Sequence, residues 1–306
     1  MSTLREDLQD YLQMRRDLGF KYRHEERRLS SFIAFMERNG ATCITTRLAL
    51  DWAVNAGGGA PSWTLRVIAI RGFARHMQGR DPQTEVPPAG LLGYRTKVKP
   101  HLYTHEEIVR LMAAAQTLPC KGLRRAGVQC LIGLLAVSGL RVGEALRLEC
   151  SDVDLLEGLL TIRNTKFGKT RLVPLHDSTR RMLALYAERR DAHLPVPRTP
   201  YFLVGSYGRQ LRYRDVCDTF IHLSRQIGLR APGQRGPRMH DFRHRFAIET
   251  LLGWYRSGAD VEALLPVLST YLGHGSMHNT YWYLSSCPEL MEQAARRFDR
   301  HWEASP

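Results

Sequence analysis

Residues 271–284 read YLGHGSMHNTYWYL, a Leu-Gly-His turn followed by a short aromatic segment. Tyr281 and Tyr283 come seven and nine residues after His274. On a helix of 3.6 residues per turn, positions two apart differ by roughly 200°, so the two phenol groups face different directions. The segment fits either aromatic packing or one tyrosine placed for chemistry, and the rest of the chain is needed to choose between them.

Two arginine motifs lie upstream of this segment. The first, SGLRVGEALRL at 138–148, puts Arg141 directly after a glycine turn, at the start of a helix. The second, MHDFRHRFA at 239–247, places His240 and Arg243 three residues apart, on one face of a helix. Taken alone, the first is also explained as an exposed arginine at a helix start, and the second as the polar face of an amphipathic helix.

A third basic motif lies between these two. The segment LLTIRNTKFGKTRLVPL at 159–175 alternates apolar and polar residues around Lys-Phe-Gly-Lys. This alternation predicts a β-hairpin with Lys166 and Lys169 at its tip. A lysine on such a turn is able to enter a site and donate a proton, although charge at a hairpin tip is also an ordinary surface feature.

The composition is that of a globular protein. Of 306 residues, 43% are hydrophobic and 24% are charged. The longest nearly apolar run, at 130–140, is about half the length that a bilayer span needs, and the N-terminus has no apolar signal region. The six cysteines are scattered without a C-x-x-C pair, which favours reduced thiols over disulfides or a zinc site. We therefore expect a cytoplasmic protein.

The charge indicates a polyanionic partner. Lys and Arg total 44 against 30 Asp and Glu, for a net charge of +14. Residues 206–245 alone hold nine arginines and three aspartates, with neither Lys nor Glu. Arginine binds phosphate through two donors at once, whereas a surface adapted only for solubility usually mixes lysine and glutamate. Double-stranded DNA fits better than a membrane because no basic amphipathic anchor is evident, and the protein would then be nucleoid-associated.

The chain divides by composition into two helical parts. Residues 1–80 read as four helices and 81–100, with four prolines, as a linker. Residues 101–306 form the second domain, which opens with a capping box at Thr104 and Glu107. The fold class is therefore mainly α with a small β-sheet (α+β). Helices are predicted at 24–38, 45–56, 62–79, 122–137, 177–190, 213–228, 240–254 and 288–298.

The basic motifs suit chemistry on a phosphodiester. Such chemistry needs cations for the developing charge, a nucleophile that attacks phosphorus and an acid for the leaving oxygen. Tyrosine is a weak nucleophile near neutral pH because its pKa is about 10, but neighbouring cations stabilise the phenolate. The sequence has no acidic cluster with metal-ligand spacing and no Walker loop.

Together the motifs resemble the tyrosine recombinases, the phage-lambda-integrase-like family. The resemblance covers roughly 101–295 and rests on GLRVGE, TKFGKTR, HDFRH, LGH and TYWY, in the family's order. The family pattern after the turn, L-G-H-x-S-x-x-x-T-x-x-Y, matches LGHGSMHNTYWY with its tyrosine at Tyr283. Phe167 departs from the family's hairpin, which has glycine after its first lysine. The resemblance also implies that residues 1–80 are a helical core-binding domain preceding the catalytic domain.

The resemblance implies a role for each motif residue. Arg141 and Arg243 would hold the scissile phosphate, and Lys166 would protonate the leaving 5′-oxygen. His240 would assist proton transfer from Tyr283, the nucleophile, and His274 would hydrogen-bond the phosphate. Glu144 would orient the first arginine. Further DNA contacts are expected from Arg95, Lys97, Lys99, Lys169, Arg171, Arg209, Arg212 and Arg238.

The implied reaction is strand transesterification through a 3′-phosphotyrosyl link, with neither metal nor ATP. The family works as a tetramer on paired DNA sites, so the helix at 288–298 either docks on a neighbouring protomer or packs on its own core. The segment TYWYLSSCPELMEQAARRF at 280–298 resembles recombinases of transposons and integrated elements, which favours integration or transposition. The alternatives are a type IB topoisomerase, a catalytically inactive accessory recombinase and a basic RNA-binding module. The ordered set of catalytic residues argues against the inactive form.

Overall fold

The computed structural model describes residues 3–92, 99–120, 122–163, 169–234 and 236–303, with backbone alone for 285, 286 and 297–303. The chain forms two compact units, Met1–Val98 and Lys99–Pro306. None of the described helices is both long enough and apolar enough to cross a bilayer.

The first unit contains the four helices that the sequence predicts. They are α1 (Leu4–Asp17), α2 (Arg23–Arg38), α3 (Thr46–Asn55) and α4 (Ala60–Met77). Thr3 and Glu6 form a capping box that satisfies backbone donors at the start of α1. Apolar side chains from all four helices meet in one core, including Leu12, Phe32, Ile33, Trp52, Ile70 and Phe73.

The segment after α4, which is the first part of the predicted linker, is hydrogen-bonded to the first unit. The amide of Glu85 donates to the carbonyl of Ile44 at 2.7 Å, and Thr84 is 2% exposed. The Arg71 guanidinium on α4 donates to the carbonyl of Pro87 at 2.8 Å. These bonds hold 81–92 against the helices, because the prolines leave carbonyls free to accept bonds from a neighbouring element. Residues 93–98 of the predicted linker lie outside the described residues.

The second unit is mostly helical. Its helices are α5 (His105–Gln116), α6 (Arg124–Ser138), α7 (Val142–Ala145), α8 (Asp177–His193), α9 (Tyr213–Gln226), α10 (Asp241–Arg256), α11 (Val261–Leu272), α12 (His278–Ser286) and α13 (Pro288–Glu303). The predicted capping box at Thr104 and Glu107 is present at the start of α5. Most of α6 is buried, so it forms the centre of the unit.

A three-stranded antiparallel sheet packs beside these helices. Strand β2 (Leu159–Ile162) pairs with β1 (Val153–Asp154) on one side and β3 (Arg171–Pro174) on the other. Leu160 pairs with Val173, and both are fully buried. The predicted hairpin is therefore present as β2 and β3, and β1 adds a strand that the sequence did not reveal.

Helix α10 joins two apolar clusters of this unit. Phe242 belongs to the cluster built around α5, α6 and the sheet. Leu251 belongs to a second cluster with Leu265, Tyr283 and Leu290, from α11, α12 and α13. Helix α11 was not predicted, since Pro266 inside it is a signal that usually ends a helix. The polar residues of the candidate site lie where the two clusters meet.

Candidate active site

Arg141 is fixed at the start of α7 by two hydrogen bonds. The chain leaves α6 through Gly139, whose φ of 59° is left-handed, and Arg141 caps α7. Its guanidinium donates to Oε1 of Glu144 at 2.7 Å and to the carbonyl of Gly273 at 2.9 Å. The side chain remains 35% exposed. Arg141 is therefore held in one orientation while keeping donors that face solvent.

Arg243 is the second arginine and is almost fully buried, with 2% exposure. Its Nη1 donates to the carbonyl of Gly139 at 2.9 Å and its Nη2 to the carbonyl of Leu272 at 2.6 Å. Burial, and next the charge of Arg141, lower the pKa of Arg243 to about 10. It stays protonated at neutral pH, so a permanent cation lies between the two clusters.

Glu144 neutralises part of this charge. Its carboxylate receives hydrogen bonds from Arg171 at 2.8 and 3.2 Å as well as from Arg141. Burial raises the pKa of Glu144, but the bonds and charges of Arg171 and Arg141 outweigh it and lower the pKa to about 2. Glu144 is thus an anion shared by two guanidinium groups.

The position of Arg171 argues against the DNA contact expected for it. Its side chain is 9% exposed, and Nε donates to the carbonyl of Tyr271 at 2.7 Å. Its remaining donors are directed at Glu144. Arg171 therefore connects β3 to the end of α11 from inside the protein, and strand alternation alone did not show that it faces inward.

His274 follows the glycine turn that ends α11. Gly273 has a φ of 66°, and a Cβ there would lie 2.8 Å from Nη1 of Arg171. The His274 Nδ1 lies 2.7 Å from Oγ1 of Thr280, which is fully buried. Burial, followed by the charges of Arg243 and Arg141, lowers the pKa of His274 to about 4. The imidazole is therefore neutral at pH 7.

Tyr283 lies on α12, directed into the site, and is 2% exposed. Burial raises the pKa of Tyr283, and the charge of Arg243, its side-chain hydrogen bonding and the charge of Arg141 oppose that rise. The ring stacks against His274, with centroids 6.0 Å apart and planes 25° apart. Tyr281 is 51% exposed, which agrees with the helical-period argument that the two tyrosines face different sides.

A pair of histidines lies on the other side of Tyr283. The rings of His240 and His244 are 4.9 Å apart, and His244 is 5.5 Å from Tyr283, between centroids. Nδ1 of His244 is buried without a hydrogen-bond partner. Burial, and next the nearby His240, lower the pKa of His244 to about 4. Sequence reasoning missed His244, although its spacing four residues after His240 would have placed both rings on one helix face.

His240 itself caps the start of α10 and stays accessible to solvent. Surrounding protein atoms, followed by the charges of Arg243 and Arg238, lower its pKa, while Asp241 opposes them. A neutral, accessible imidazole at this position is suited to accepting a proton. The structure thus brings together five of the six predicted catalytic residues: Arg141, His240, Arg243, His274 and Tyr283.

A sequence model of the phage integrase family matches residues 102–289. The chain belongs to the phage integrase family. This confirms the family that the motifs indicated. The fold class is confirmed as well, since the second unit combines helices with a small antiparallel sheet and the chain is similar in fold to solved recombinases.

Relatives in the family bear names that agree with the assignment. The putative integrase/recombinase y4rB of Sinorhizobium fredii (strain NBRC 101917 / NGR234) is 50% identical over 99% of this chain and 99% of its own. The tyrosine recombinase XerD of Caulobacter vibrioides (strain ATCC 19089 / CIP 103742 / CB 15) is 32% identical, over 71% of this chain and 68% of its own.

Solved integrase structures share the fold. The Tn1549 transposon integrase in complex with transposon right end DNA aligns with 96% of this chain and 98% of its own. The TM-score is 0.68 at 14% sequence identity. The XerH site-specific recombinase bound to palindromic difH substrate aligns with 89% of this chain and 78% of its own, with a TM-score of 0.64 at 19% identity.

The remaining predicted site residues of this integrase family member fall into two groups, those outside the described residues and those that are exposed. Lys166, Arg95 and Lys97 lie outside the described residues. Exposed side chains are found at Lys99, Lys169, Arg209, Arg212 and Arg238. Two of these are paired with carboxylates three residues on, Arg212 with Asp215 and Arg238 with Asp241. Their role in DNA binding stays a prediction.

Helix α13 packs on its own chain. Leu290 is fully buried in the cluster with α10 and α12, and Glu289 forms an ion pair with Arg256 of α10. This packing leaves a face of α13 exposed, including Met291, and a contact of that face with a neighbouring protomer stays a prediction. Within the described ranges, no group of three or more histidine, cysteine or acidic side chains is arranged to hold a metal ion.

Proposed function

We propose that this chain is a site-specific DNA recombinase that cuts and rejoins strands through Tyr283. The observation that carries the proposal is the burial of the Tyr283 phenol beside the guanidinium charge of Arg243. A cation next to a buried phenol is the arrangement that lowers the cost of forming a phenolate. The exposed Tyr281 has no comparable environment.

The proposed first step is an in-line transesterification. The Tyr283 oxygen attacks phosphorus and its proton passes to a base, for which His240 is the candidate. The bond from phosphorus to the 5′-oxygen breaks, and that oxygen takes a proton from an acid, for which Lys166 is the candidate. The products are a 3′-phosphotyrosyl link and a free 5′-hydroxyl. A 5′-hydroxyl of a partner strand reverses the step and joins the exchanged ends.

The charges of the site support binding of the transition state. In the proposed reaction negative charge grows on the nonbridging phosphate oxygens, and donors already fixed in place stabilise it without reorganisation. Arg141 is anchored by Glu144 and by the Gly273 carbonyl but keeps an exposed side. In this proposal the arginines supply the positive charge, and neither a metal ion nor a nucleotide cofactor takes part.

The proposed substrate is double-stranded DNA, bound as paired sites by several protomers. Support comes from the net charge of +14 and from exposed basic residues of the second unit, including Arg209 and Arg238. A relative 50% identical over almost the whole chain is named an integrase/recombinase. We propose integration or transposition of a mobile element as the biological reaction, with α13 as a candidate contact to a neighbouring protomer.

The test is trapping of the covalent intermediate. Nicked suicide duplexes tiling the DNA that flanks the gene lose a short fragment after cleavage, so the adduct cannot religate. We expect a protein–DNA adduct on a denaturing gel, with a free 5′-hydroxyl on the released fragment, and no adduct from Tyr283→Phe. An adduct that persists in Tyr283→Phe, or one joined to the 5′ end, would contradict the proposal.

A further inference from the structure

Thr280 is joined to the active site by a hydrogen bond to His274. Its Oγ1 lies 2.7 Å from Nδ1 of the imidazole, and the residue is fully buried in α12. A hydroxyl has a single proton to donate. If the Thr280 hydroxyl donates to Nδ1 of His274, that nitrogen carries no proton of its own in the neutral ring.

Other buried or part-buried hydroxyls on these helices donate to a backbone carbonyl four residues earlier. Thr219 donates to Asp215 at 2.7 Å, and Thr250 donates to Phe246 at 2.8 Å. Thr280 is the third residue of α12, so the corresponding carbonyl precedes the helix. Across the described residues, its hydroxyl makes one hydrogen bond, to His274. The hydroxyl proton is therefore directed at Nδ1.

His274 is neutral, because its low pKa of about 4 removes the second ring proton at pH 7. A neutral imidazole has one N–H, and a nitrogen that accepts a hydrogen bond does not carry it. With Nδ1 accepting from Thr280, the proton resides on Nε2. The turn before His274 is also fixed, because the Arg141 guanidinium donates a hydrogen bond of 2.9 Å to the Gly273 carbonyl.

We propose that Thr280 is a positioning residue that holds His274 in the tautomer whose Nε2–H donates to the scissile phosphate. The proposal rests on the proposed function, because it assigns a donor to that reaction. The other tautomer would present a lone pair to an anionic oxygen and would be repelled by it. Thr280 thus keeps the donor on the correct nitrogen without touching the DNA.

A double-mutant cycle tests whether Thr280 acts through His274. Thr280→Val removes the hydroxyl at constant shape, and Thr280→Ser keeps it. Single-turnover cleavage of the nicked duplex is expected to slow about 10- to 100-fold in Thr280→Val. This is the range found when a metal-binding histidine loses the hydrogen-bond partner that orients its ring. Thr280→Ser restores most of the rate. Thr250→Val, which removes a helical hydroxyl elsewhere, is the matched control.

The decisive comparison is made in a His274→Ala background. There Thr280→Val is expected to change the rate by less than about twofold, since coupled residues are non-additive. An equal slowing in both backgrounds would show that Thr280 supports only the structure, and would overturn the proposal.

Nitrogen NMR of histidine labelled in the ring reads the tautomer directly, with the His274 signal assigned by its loss in His274→Ala. We expect an Nε2–H tautomer in the full chain and in Thr280→Ser, and a mixture in Thr280→Val. An Nδ1–H tautomer in the unmodified chain would overturn the proposal. If that chain forms no adduct, the proposed function fails, and the spectrum still decides the tautomer.

Discussion

Arg141 donates a hydrogen bond of 2.9 Å to the carbonyl of Gly273, the residue directly before His274. Arg243 makes the complementary bond, also 2.9 Å, to the carbonyl of Gly139 in the turn that precedes Arg141. Arg141 thus fixes the turn that precedes His274, and Arg243 fixes the turn that precedes Arg141. The cations that we propose for phosphate binding are held in place by the protein's own carbonyl groups, which is the condition for electrostatic preorganisation.

The first prediction concerns the turn at Gly139. A Cβ at this position would lie 2.5 Å from Cδ1 of Phe246, and the φ of 59° disfavours any side chain. In Gly139→Ala the clash with Phe246 is expected to destabilise the second unit by about 1–3 kcal/mol. The left-handed backbone adds roughly 1–2 kcal/mol to this cost. Hydrogen exchange of α6 and α10 peptides measures this.

Gly258→Ala is the matched control for that substitution. Gly258 has a φ of 73° and no atom within 4 Å of an added Cβ, so it reports the backbone strain alone. Equal loss of protection in both variants would contradict the importance assigned to the Gly139 turn.

The second prediction concerns the anion that the two arginines share. Glu144→Gln leaves buried Arg171 without its carboxylate, and breaking a buried ion pair on one side costs about 3–5 kcal/mol. We expect a large fall in urea resistance and in cleavage. Glu292→Gln removes a carboxylate 59% exposed and paired with Arg296, so its cost should stay below about 1 kcal/mol. Similar urea midpoints for the two variants would show that Glu144 does not organise the site.

The third prediction is a pH dependence of stability. The pKa of His244 is about 4 in the folded protein, below the ordinary value of 6.5. Between these values the unfolded chain binds the extra proton, so the free energy of unfolding falls as the pH drops from about 6.5 to about 4. His244→Phe removes this contribution and should flatten the profile of urea midpoint against pH. An unchanged slope in His244→Phe would show that this histidine is not buried as a neutral ring.

The fourth prediction concerns α13 as a cover for Tyr283. Leu290 is fully buried in the same apolar cluster as Tyr283, whereas neighbouring Met291 is 56% exposed. Leu290→Ala is expected to cost about 2–5 kcal/mol and to loosen α13, and Met291→Ala should cost little. Nitration followed by mass spectrometry should modify Tyr281 in the unmodified chain and reach Tyr283 only in Leu290→Ala. Equal nitration of Tyr283 in all three proteins would contradict the covering role.

Local sequence patterns predicted much of this fold for identifiable reasons. Helical periodicity and caps gave four helices in the first unit, and the two-residue offset between Tyr281 and Tyr283 predicted their opposite orientations. These features depend on neighbours within one or two turns of the chain. The family resemblance supplied the remaining site residues, since no local rule joins motifs so far apart.

The features that were missed depend on distant contacts. Arg243 and Gly139 are 104 residues apart in sequence, and Arg171 reaches Tyr271 across 100 residues. An alternating strand does not reveal that an arginine at its start turns inward to meet Glu144. The partner of Thr280 was equally hidden, because only the folded turn after Gly273 brings the His274 ring over the start of α12.

The covalent bond that we propose between Tyr283 and DNA can be located by mass spectrometry. The trapped adduct is digested with trypsin, its DNA is trimmed with nuclease, and the peptide that contains both Tyr281 and Tyr283 is fragmented. We expect Tyr283 to carry the residual nucleotide mass, on fragments that exclude Tyr281. Nucleotide mass on Tyr281, or on any other residue, would show that Tyr283 is not the nucleophile.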